Sequence, residues 1–410
     1  MKNLEISLIK EFNRHHGAVM LGGKFSILNE IINPATGFFD VSFSSVSDIK
    51  NLYRNQKIEK KNQDGRTKLV NPADIWLDHP DRRQYKGIVF APGDDALNGY
   101  YNLWKGFAVE PCPGDCRLYK AHILENICDG DKHLYDWVMD WMADGVQHPS
   151  GRPGTAIVLR GRQGTGKGVF VSTFGQIFGS HFVHVSGQHR LTGKFNNHLK
   201  MGLLVFVDEG FWAGDRRDTG TLKAMITEKD MLVEPKFQDA FTLRNHMRVI
   251  MASNSSWVVP ADLEERRFCV LDVADHHRID FEYFGAIVEQ MRNGGVKALL
   301  YDLLNREITS ELRQIPRTQA LFDQMIQSMD SVEQWWLACL YKEKVLDDDM
   351  VWPERLPKEE IYNSYLNHCD RERERHPETS PMFFKKLAMV CPGSRSARMK
   401  YGEVRQYCIL

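Results

Sequence analysis

Three short runs in the middle of the chain are apolar at every position. They are AIVL at residues 156–159, LLVFV at 203–207 and VIMA at 249–252. A strand that is apolar on both faces is typical of a sheet covered by helices on both sides. Stretches with a helical spacing of apolar residues separate the three runs. The pattern therefore predicts an α/β sandwich in this part of the chain.

The patterns before and after this part are different. The first 131 residues are rich in Gly, Pro, Asn and aromatic residues, which predicts an irregular α+β module with short strands at 17–28, 68–76 and 87–93. Apolar residues at helical spacing predict a helix from Lys132, which ends at HPSGRPG (148–154), a hinge. The last region predicts helices followed by a small hairpin, as in a winged-helix module. We therefore expect an N-terminal module at 1–131, a core with its leading helix at 132–329 and a C-terminal module at 330–410.

Composition narrows the class of protein. The 410 residues are 42% apolar and 26% charged, which is typical of a globular chain and excludes an intrinsically disordered one. No apolar run approaches the roughly 18 residues of a membrane span, and the start of the chain lacks the pattern of a signal peptide. Eight scattered cysteines are too few for a disulfide scaffold. We therefore expect a soluble, cytoplasmic protein without a membrane partner.

Charge restricts nucleic-acid binding to local patches. The 53 basic residues are balanced by 54 acidic ones, so the formal net charge is −1 and the chain as a whole does not attract DNA. Residues 380–410 are an exception, because they contain six basic residues against Glu403 alone. This end of the chain is therefore a basic patch, and binding of nucleic acid is expected there.

A glycine-rich segment follows the first apolar run. It reads GRQGTGKG at residues 161–168 and precedes VFVSTFGQIFG, which has helical spacing. The order of strand, loop and helix, with the pattern G-x-x-x-x-G-K, is typical of a phosphate-binding loop. Glycines let backbone N–H groups face a phosphate, and the lysine ammonium reaches the β- and γ-phosphates. We therefore predict that ATP binds to Gly161, Gly164, Thr165, Gly166, Lys167 and Gly168.

One position departs from this pattern. Gly168 stands where most such loops have a Ser or Thr that offers a hydroxyl group to Mg²⁺. Thr165 is a poor substitute because it lies inside the loop. We expect Mg²⁺ to depend more strongly on water and on a carboxylate elsewhere in the chain.

Polar residues at the ends of the other two apolar runs are candidates for the chemistry. Asp208 and Glu209 follow the second run, and Asn254 follows the third. We predict that Asp208 holds Mg²⁺ and that Glu209 activates the attacking water. Asn254 would bond the γ-phosphate or the same water. Solvated acids at a strand end and a turn-forming Asn are the alternatives.

Arg266 and Arg267 precede a further apolar run, CVLDV at 269–273. Each is a candidate arginine finger that enters the nucleotide site of a neighbouring subunit and stabilises transition-state charge. Arg267 is favoured because it stands closest to the strand. Ordinary surface ion pairs with the adjacent acids are the alternative.

The ordered set of motifs resembles the superfamily 3 helicases, in particular the primase-helicase ATPases of phages, plasmids and poxviruses. The resemblance covers residues 147–273 and rests on QHPSGRPGTAIVLRGRQGTGKG, LLVFVDEG, RVIMASN and ERRFCVLDV. It implies a P-loop, AAA+-like ATPase core that uses ATP and Mg²⁺ and forms a homo-hexameric ring on single-stranded DNA. It also implies a β-hairpin before Asn254 whose tip, with Lys236 and Phe237, grips the strand. An ordinary surface hairpin would have the same pattern.

Weaker similarity to the same family extends to both sides of the core. The segments NPADIWLDHPDRRQYKGIVFAPG and YNLWKGFAV resemble the region before the ATPase in phage primase-helicases, and the last region resembles their winged helix. The sequence contains no acidic cluster of the kind found in primases or polymerases. If the family applies, the synthetic half is absent or is a separately encoded partner.

A zinc site is an alternative use of one segment. Cys112, Cys116, His122 and Cys128 lie close together in the sequence. Their spacing does not form the paired pattern of structural zinc sites. The predicted cofactors therefore remain ATP and Mg²⁺.

Together these features predict an ATP-dependent replicative DNA helicase of a phage or mobile element. A related ATPase would load or remodel replication proteins without unwinding DNA, and strand displacement separates it from a helicase. A nucleotide-gated DNA-binding protein, acting at an origin or as an inhibitor, is the other alternative. Duplex binding by residues 330–410 alone, with an inert Lys167→Ala variant, would favour it.

Overall fold

The computed structural model describes residues 2–61, 67–93, 97–187, 190–191, 193, 195–209, 216–236, 239–346, 352, 354–402 and 404–409. The chain divides into two compact units. The first comprises residues up to 259 together with 265–321, and the second comprises 260–264 together with 322–410. The predicted N-terminal module and most of the predicted core thus belong to the first unit. The predicted boundary at residue 131 stays a prediction.

A small mixed sheet and three helices form the first part of the first unit. Its elements are α1 (Lys2–His15), α2 (Val46–Leu52), α3 (Pro72–Asp78), β1 (His16–Leu21), β2 (Lys24–Ile32), β3 (Phe39–Ser44), β4 (Ile58–Lys61), β5 (Thr67–Val70), β6 (Gln84–Tyr85), β7 (Gly87–Val89) and β8 (Tyr100–Asn102). The sheet order is β3-β2-β1-β6, and β4–β5 and β7–β8 form separate pairs. Phe12 of α1, Ile27 of β2 and Trp76 of α3 meet in the core.

The predicted strand at 68–76 was wrong in its second half. β5 ends at Val70, and α3 begins at Pro72. Asn71 caps this helix, because its side chain accepts a hydrogen bond from Ala73 N at 2.9 Å. Proline suits the first turn, where its missing N–H group is not needed. The apolar residues Ile75 and Trp76 are therefore the buried face of a helix.

A five-stranded parallel sheet forms the second part of the first unit. The strands of this part are β9 (Ala156–Arg160), β10 (Phe182–Ser186), β11 (Leu204–Asp208), β12 (Asp230–Val233), β13 (Phe241–Arg244), β14 (Arg248–Ser253) and β15 (Phe268–Asp272). The parallel sheet has the order β10-β11-β14-β9-β15. Its three central strands are the three fully apolar runs of the sequence. This part of the chain is a mixed α/β structure.

Helices accompany this sheet. They are α4 (Arg117–His122), α5 (Lys132–Gln147), α6 (Lys167–Phe178), α7 (Arg216–Thr227), α8 (Phe281–Gln290) and α9 (Val296–Leu304), with π-helical turns at Ile123–Ile127 and Met291–Gly295 and 3-10 turns at Gly179–His181 and Asn197–Leu199. α6 packs on β10, β11 and β14. α5 is the helix predicted from Lys132, and the side chain of Asp131 caps it. No helix in the described ranges is long and apolar enough to cross a bilayer.

Three helices and a small antiparallel sheet form the second unit. They are α11 (Ser331–Lys342), α12 (Lys358–Arg371), α13 (Ser380–Val390), β16 (Leu356–Pro357), β17 (Ser396–Tyr401) and β18 (Val404–Ile409), preceded by α10 (Gln319–Ser328), which begins in the first unit. β18 lies between β16 and β17. Trp335, Tyr365 and Phe383, one from each of α11, α12 and α13, form the centre of the core. The order of elements is the expected one, and its identification as a winged helix stays a prediction.

Candidate functional site

The glycine-rich segment connects β9 to α6. Gly164 and Gly166 have φ values of +82° and +86°, in the left-handed region that favours glycine. A Cβ atom at Gly166 would lie 2.5 Å from Phe284 Cε1 and 2.6 Å from His122 Cε1, so a larger residue does not fit. α6 begins directly after this glycine. The loop therefore ends at a helix N-terminus, where backbone N–H groups and the helix dipole favour an anion.

The Lys167 ammonium lies inside the loop. Its Nζ donates hydrogen bonds to Gly161 O and Arg162 O, both at 2.7 Å, and to Asn254 Oδ1 at 3.1 Å. Burial lowers the pKa of Lys167, while the two acids at the end of β11 oppose this shift. The positive charge is thus held by neutral oxygen atoms, which phosphate oxygens can replace.

Glu209 and Asn254 are hydrogen-bonded to each other. Asn254 Nδ2 donates to Glu209 Oε1 at 3.0 Å, while Asn254 Oδ1 accepts from Lys167. The two residues meet because β11 and β14 pair in parallel, with Asp208 opposite Ala252. Glu209 has a φ of +51°, a strained value for a residue with a side chain. Three predicted site residues thus form one network.

Asp208 lies at the same strand end. Its Oδ2 atom is 3.7 Å from His184 Nε2, and 42% of its side chain is exposed. Carboxylate oxygens are ligands that Mg²⁺ prefers. Gly168 provides no hydroxyl group, and a Cβ atom there would meet no atom within 4 Å. Among the described residues no group of three or more His, Cys, Asp or Glu side chains converges as a metal site, so Asp208 is a single possible ligand and its role in holding Mg²⁺ stays a prediction.

Two side chains that precede α5 hold the loop and were not predicted. Asn126 Nδ2 donates to Thr165 O at 2.6 Å, and His122 Nε2 donates to Gly166 O at 3.3 Å. Both side chains are fully buried, and burial lowers the pKa of His122 to about 4. His122, weighed above as a zinc ligand, thus contacts the glycine loop. The sequence does contain a sign of this role, because polar residues stand within the apolar segment HILENIC. A polar group that is buried needs a hydrogen-bond partner.

Residues after β15 close the other side of the loop. Ile279 N donates to Gly164 O at 2.9 Å, and Arg278 Nε donates to Gln163 O at 3.1 Å. Ile279 has a φ of +62°, which is unusual for a β-branched residue. No pattern in the sequence indicated this turn. The loop is therefore held from both sides by segments distant in sequence.

Arg266 and Arg267 lie at the amino-terminal ends of the parallel strands, whereas the glycine loop lies at their carboxyl ends. They precede β15, whereas the loop follows the adjacent parallel strand β9. A strand of this length spans about 17 Å, which is farther than an arginine side chain extends. Neither arginine therefore reaches the loop of its own chain. Arg267 Nη1 is 3.7 Å from Oε1 of the fully buried Glu265, and the role of either arginine in a neighbouring subunit stays a prediction.

The expected hairpin lies between the acids and Asn254. β12 and β13 pair antiparallel, with Val233 opposite Phe241. Lys236 lies in the connection between these strands and is exposed. Phe237, the other predicted DNA contact, lies outside the described residues. A contact of Lys236 with DNA stays a prediction.

The basic residues of the second unit have different surroundings. Lys386 pairs with Asp330 at 2.8 Å and with Glu378 at 2.6 Å, so its charge is compensated. Arg398 and Lys400 are exposed on β17. Residues two positions apart on a strand share a face, so these two charges point the same way. One of the six basic residues counted in the sequence is thus compensated, and binding of DNA by the others stays a prediction.

Comparison with known proteins gives a sequence relationship and a fold. Residues 159–267 match a family described as "Family of unknown function (DUF5906)". The chain is 29% identical over 183 residues to the "DNA Primase-polymerase" of Nitratiruptor phage NrS-1, and the match covers 42% of this chain. The matched part is 25% of the phage protein's length.

Solved structures of the C-terminal region of NrS-1 have the same fold as this chain. The apo structure of its residues 305–718 matches with a TM-score of 0.69 over 99% of this chain and 98% of that chain, at 18% identity. The A form of the apo C-terminal region also matches with a TM-score of 0.69, at 16% identity over 98% of each chain. The similarity of fold thus extends well beyond the segment that matches in sequence.

Proposed function

We propose that the chain is a P-loop ATPase of AAA+-like fold that acts as a DNA helicase in the replication of a phage or mobile element. The observation that carries this proposal is the hydrogen-bonded network of Lys167, Asn254 and Glu209 at the glycine loop. A cation, an amide and a carboxylate in contact are groups that hydrolysis of a nucleoside triphosphate uses. Similarity to a phage DNA primase-polymerase supports a role in replication.

In this proposal the triphosphate of ATP lies along the loop. Backbone N–H groups from Gly164 to Gly168 and the N-terminus of α6 bind its oxygen atoms. Lys167 exchanges the carbonyl oxygens of Gly161 and Arg162 for β- and γ-phosphate oxygens. Hydrogen bonds to an anion are stronger than those to a neutral carbonyl, so the exchange is favourable. Mg²⁺, held by Asp208, would neutralise charge that develops on the phosphates.

Hydrolysis then needs a positioned water and a base. The water oxygen bonds to the γ-phosphorus, the bond from phosphorus to the ADP oxygen breaks, and Glu209 accepts the proton of the water. Asn254 orients the water, because its amide already contacts Glu209 and Lys167. Movement of Lys167 onto the phosphates would free Asn254 Oδ1 to accept a hydrogen bond from that water.

Assembly completes the site. Because Arg266 and Arg267 do not reach the loop of their own chain, we assign them to the nucleotide of a neighbouring subunit in a homo-hexameric ring. Lys236 would contact single-stranded DNA in the ring, since an exposed cation suits a backbone phosphate. Arg398 and Lys400 in the second unit are candidates for binding duplex DNA. A separately encoded primase or polymerase is the expected synthetic partner.

ATP hydrolysis with and without single-stranded DNA, over a range of protein concentration, tests the proposal. For the native chain we expect hydrolysis that DNA stimulates and that rises steeply with concentration. Glu209→Gln should keep ATP binding and lose hydrolysis by a factor of about 10²–10⁴. Lys167→Ala should lose both. Glu289→Gln removes an exposed acid of α8 and is the matched control.

Strand displacement on a forked duplex completes the test. Hydrolysis that DNA does not affect, without displacement, would favour the ATPase that remodels proteins. If the native chain does not hydrolyse ATP under any of these conditions, the proposed ATPase is wrong. Duplex binding that Lys167→Ala leaves unchanged would then favour the nucleotide-gated DNA-binding protein.

A further inference from the structure

A cavity of about 370 Å³ lies in the second unit, between α11 and α12. Its volume is within the range of small-molecule sites, about 300–1,000 Å³. One wall is a row of polar residues on a single face of α12, at the separations of three and four that a helix face requires. These residues are Glu360, Asn363, Ser364, Asn367, His368 and Arg371. Ile361, Tyr365 and Cys369, on another face of α12, lie in the core of the unit, so the polar face is left to the cavity.

The opposite wall of the cavity is mostly apolar. It is formed by Trp335 and Ala338 of α11 and by Val345 and Leu346, which follow this helix. Trp335 Nε1 donates to Ser364 Oγ at 3.2 Å, and Ser364 Oγ donates to Val345 O at 2.6 Å. These hydrogen bonds hold the two walls together. An apolar wall that faces a few polar groups is typical of a site for a flat organic ring.

Several polar side chains of this cavity make no hydrogen bond or ion pair within the part of the chain that the structure describes. They are Lys342, at the end of α11, and Glu360, Asn363 and Asn367 of α12. The Nε2 atom of His368 is buried and also has no partner among these residues. Buried polar atoms in proteins almost always have a partner. A ligand in the cavity can therefore gain hydrogen bonds from these side chains without displacing a contact among them.

The charges of the cavity are separated along its length. Burial lowers the pKa of His368, and the positive charges of Lys342 and Arg371 lower it further, against the opposing charge of Glu372. These two cations therefore lie close to His368, at the carboxyl end of α12. Glu360 lies in the first turn of the helix, about 16 Å from Arg371 along the helix axis. The cavity thus has a positive end and a negative end.

This arrangement suits a molecule with an anionic group at one end and N–H donors at the other. A nucleotide has both, because its phosphate is anionic and the bases adenine and cytosine carry an exocyclic amino group. Lysine and arginine bind phosphate, while glutamate accepts a hydrogen bond from the amino group of cytosine and asparagine bonds the edge of adenine. An amino acid also carries both charges, but its amino and carboxyl groups share one carbon atom and cannot reach both ends of the cavity.

We propose that this cavity binds one nucleotide, with the phosphate at Lys342 and Arg371 and the amino group of the base at Glu360. Asn363, one turn from Glu360, contacts the edge of the base. The ligand is either a free nucleotide or the terminal nucleotide of a strand. The cavity contains none of the residues assigned above to ATP hydrolysis or to assembly, so this proposal does not depend on the proposed function.

Titration calorimetry with nucleoside monophosphates tests the base end of this site. The titrated protein is the full chain with Lys167→Ala, which weakens binding at the glycine loop. CMP has an amino group where UMP has a carbonyl oxygen, so we expect CMP to bind about tenfold more tightly than UMP. Adding Glu360→Gln should abolish this preference, because an amide can donate to the carbonyl oxygen of UMP. Glu359→Gln removes the adjacent exposed carboxylate of α12, which does not line the cavity, and is the matched control.

The phosphate end has a test of its own. Adding Lys342→Ala should weaken binding of CMP about tenfold and leave the affinity for cytidine, which has no phosphate, unchanged. Adding Lys385→Ala instead removes an exposed cation of α13 and should change neither affinity. Circular dichroism checks that every variant folds.

Three outcomes would overturn the proposal. The first is no binding of CMP to the Lys167→Ala chain. The second is equal affinity for CMP and UMP while Glu360 is present. The third is the same affinity for CMP in the Lys342→Ala and Lys385→Ala variants.

A short oligocytidylate with a 5′-phosphate separates the two sources of the nucleotide. Binding of this strand that is tighter than binding of CMP, and that Lys342→Ala weakens, would support the terminal nucleotide of a strand. Binding of the strand that is weaker than binding of CMP, or that Lys342→Ala leaves unchanged, would support a free nucleotide.

Discussion

Gly166 and Gly168 predict opposite effects of the same substitution on the stability of the first unit. At Gly166 the φ of +86° costs a residue with a Cβ atom about 1–2 kcal/mol. The added carbon would also lie 2.5 Å from Phe284 and 2.6 Å from His122, and such overpacking costs about 1–3 kcal/mol. Together these costs predict that Gly166→Ala lowers the free energy of unfolding by about 2–5 kcal/mol.

Gly168 lies only two residues further along the chain, in the first turn of α6. A Cβ atom there would meet no atom within 4 Å. Alanine is favoured over glycine in a helix by about 0.5–1 kcal/mol. Gly168→Ala should therefore raise the free energy of unfolding slightly, and it serves as the matched control for Gly166→Ala.

Urea denaturation followed by far-UV circular dichroism measures both changes. We expect the two variants to differ by about 2.5–6 kcal/mol, with the native chain between them. ATP binding gives a second measurement, because Gly166→Ala displaces the backbone that faces the phosphates and Gly168→Ala does not. Equal stabilities of the two variants would refute the reasoning, since they would mean that the loop does not have this conformation.

Three further predictions concern the magnesium ion, a buried ion pair and pH. Gly168→Ser restores the missing hydroxyl group in open space, so a Mg²⁺ titration of ATP hydrolysis should reach half of its maximum at a lower concentration than for the native chain. Asp144→Ala leaves the charge of Arg248 buried at 1% exposure without its carboxylate, and urea denaturation should show a loss of about 3–5 kcal/mol. Burial lowers the pKa of His122 to about 4, so the unfolded chain binds the proton more readily, and stability should fall as the pH decreases from about 6.5 to 4. His122→Asn should reduce that dependence in melts across this range, and an unchanged slope would contradict the assignment.

The sequence predicted those site residues whose position follows from a single strand and the residues directly after it. Glu209 and Asn254 directly follow apolar strands, and Lys167 follows a glycine-rich loop. Each of these patterns is contained in a short segment of the sequence. The carboxyl ends of parallel strands lie on the same side of a sheet. Residues that follow such strands are therefore expected to lie close together. The hydrogen bonds among these three residues agree with that reasoning.

The contacts that the sequence did not predict depend on packing between distant segments. His122 and Asn126 reach the loop from α4 and the π-helical turn that follows it, about forty residues earlier. Ile279 reaches it from a turn more than one hundred residues later. Neither segment has a periodicity that points to a phosphate loop.

β15 is a buried strand that separates Arg266 and Arg267 from the glycine loop. Arg267 directly precedes it and Val273 directly follows it, and Val273 O would lie 3.1 Å from a Cβ atom at Gly161. Residues 268–271 are at most 1% exposed, and β15 pairs in register with β9 along its whole length. A shift along the strand would break this pairing and expose apolar surface, so the arginines and the glycine loop are held at a fixed separation. Arg266 and Arg267 therefore cannot reach a nucleotide in the loop of their own chain, and their proposed role in hydrolysis requires a neighbouring subunit.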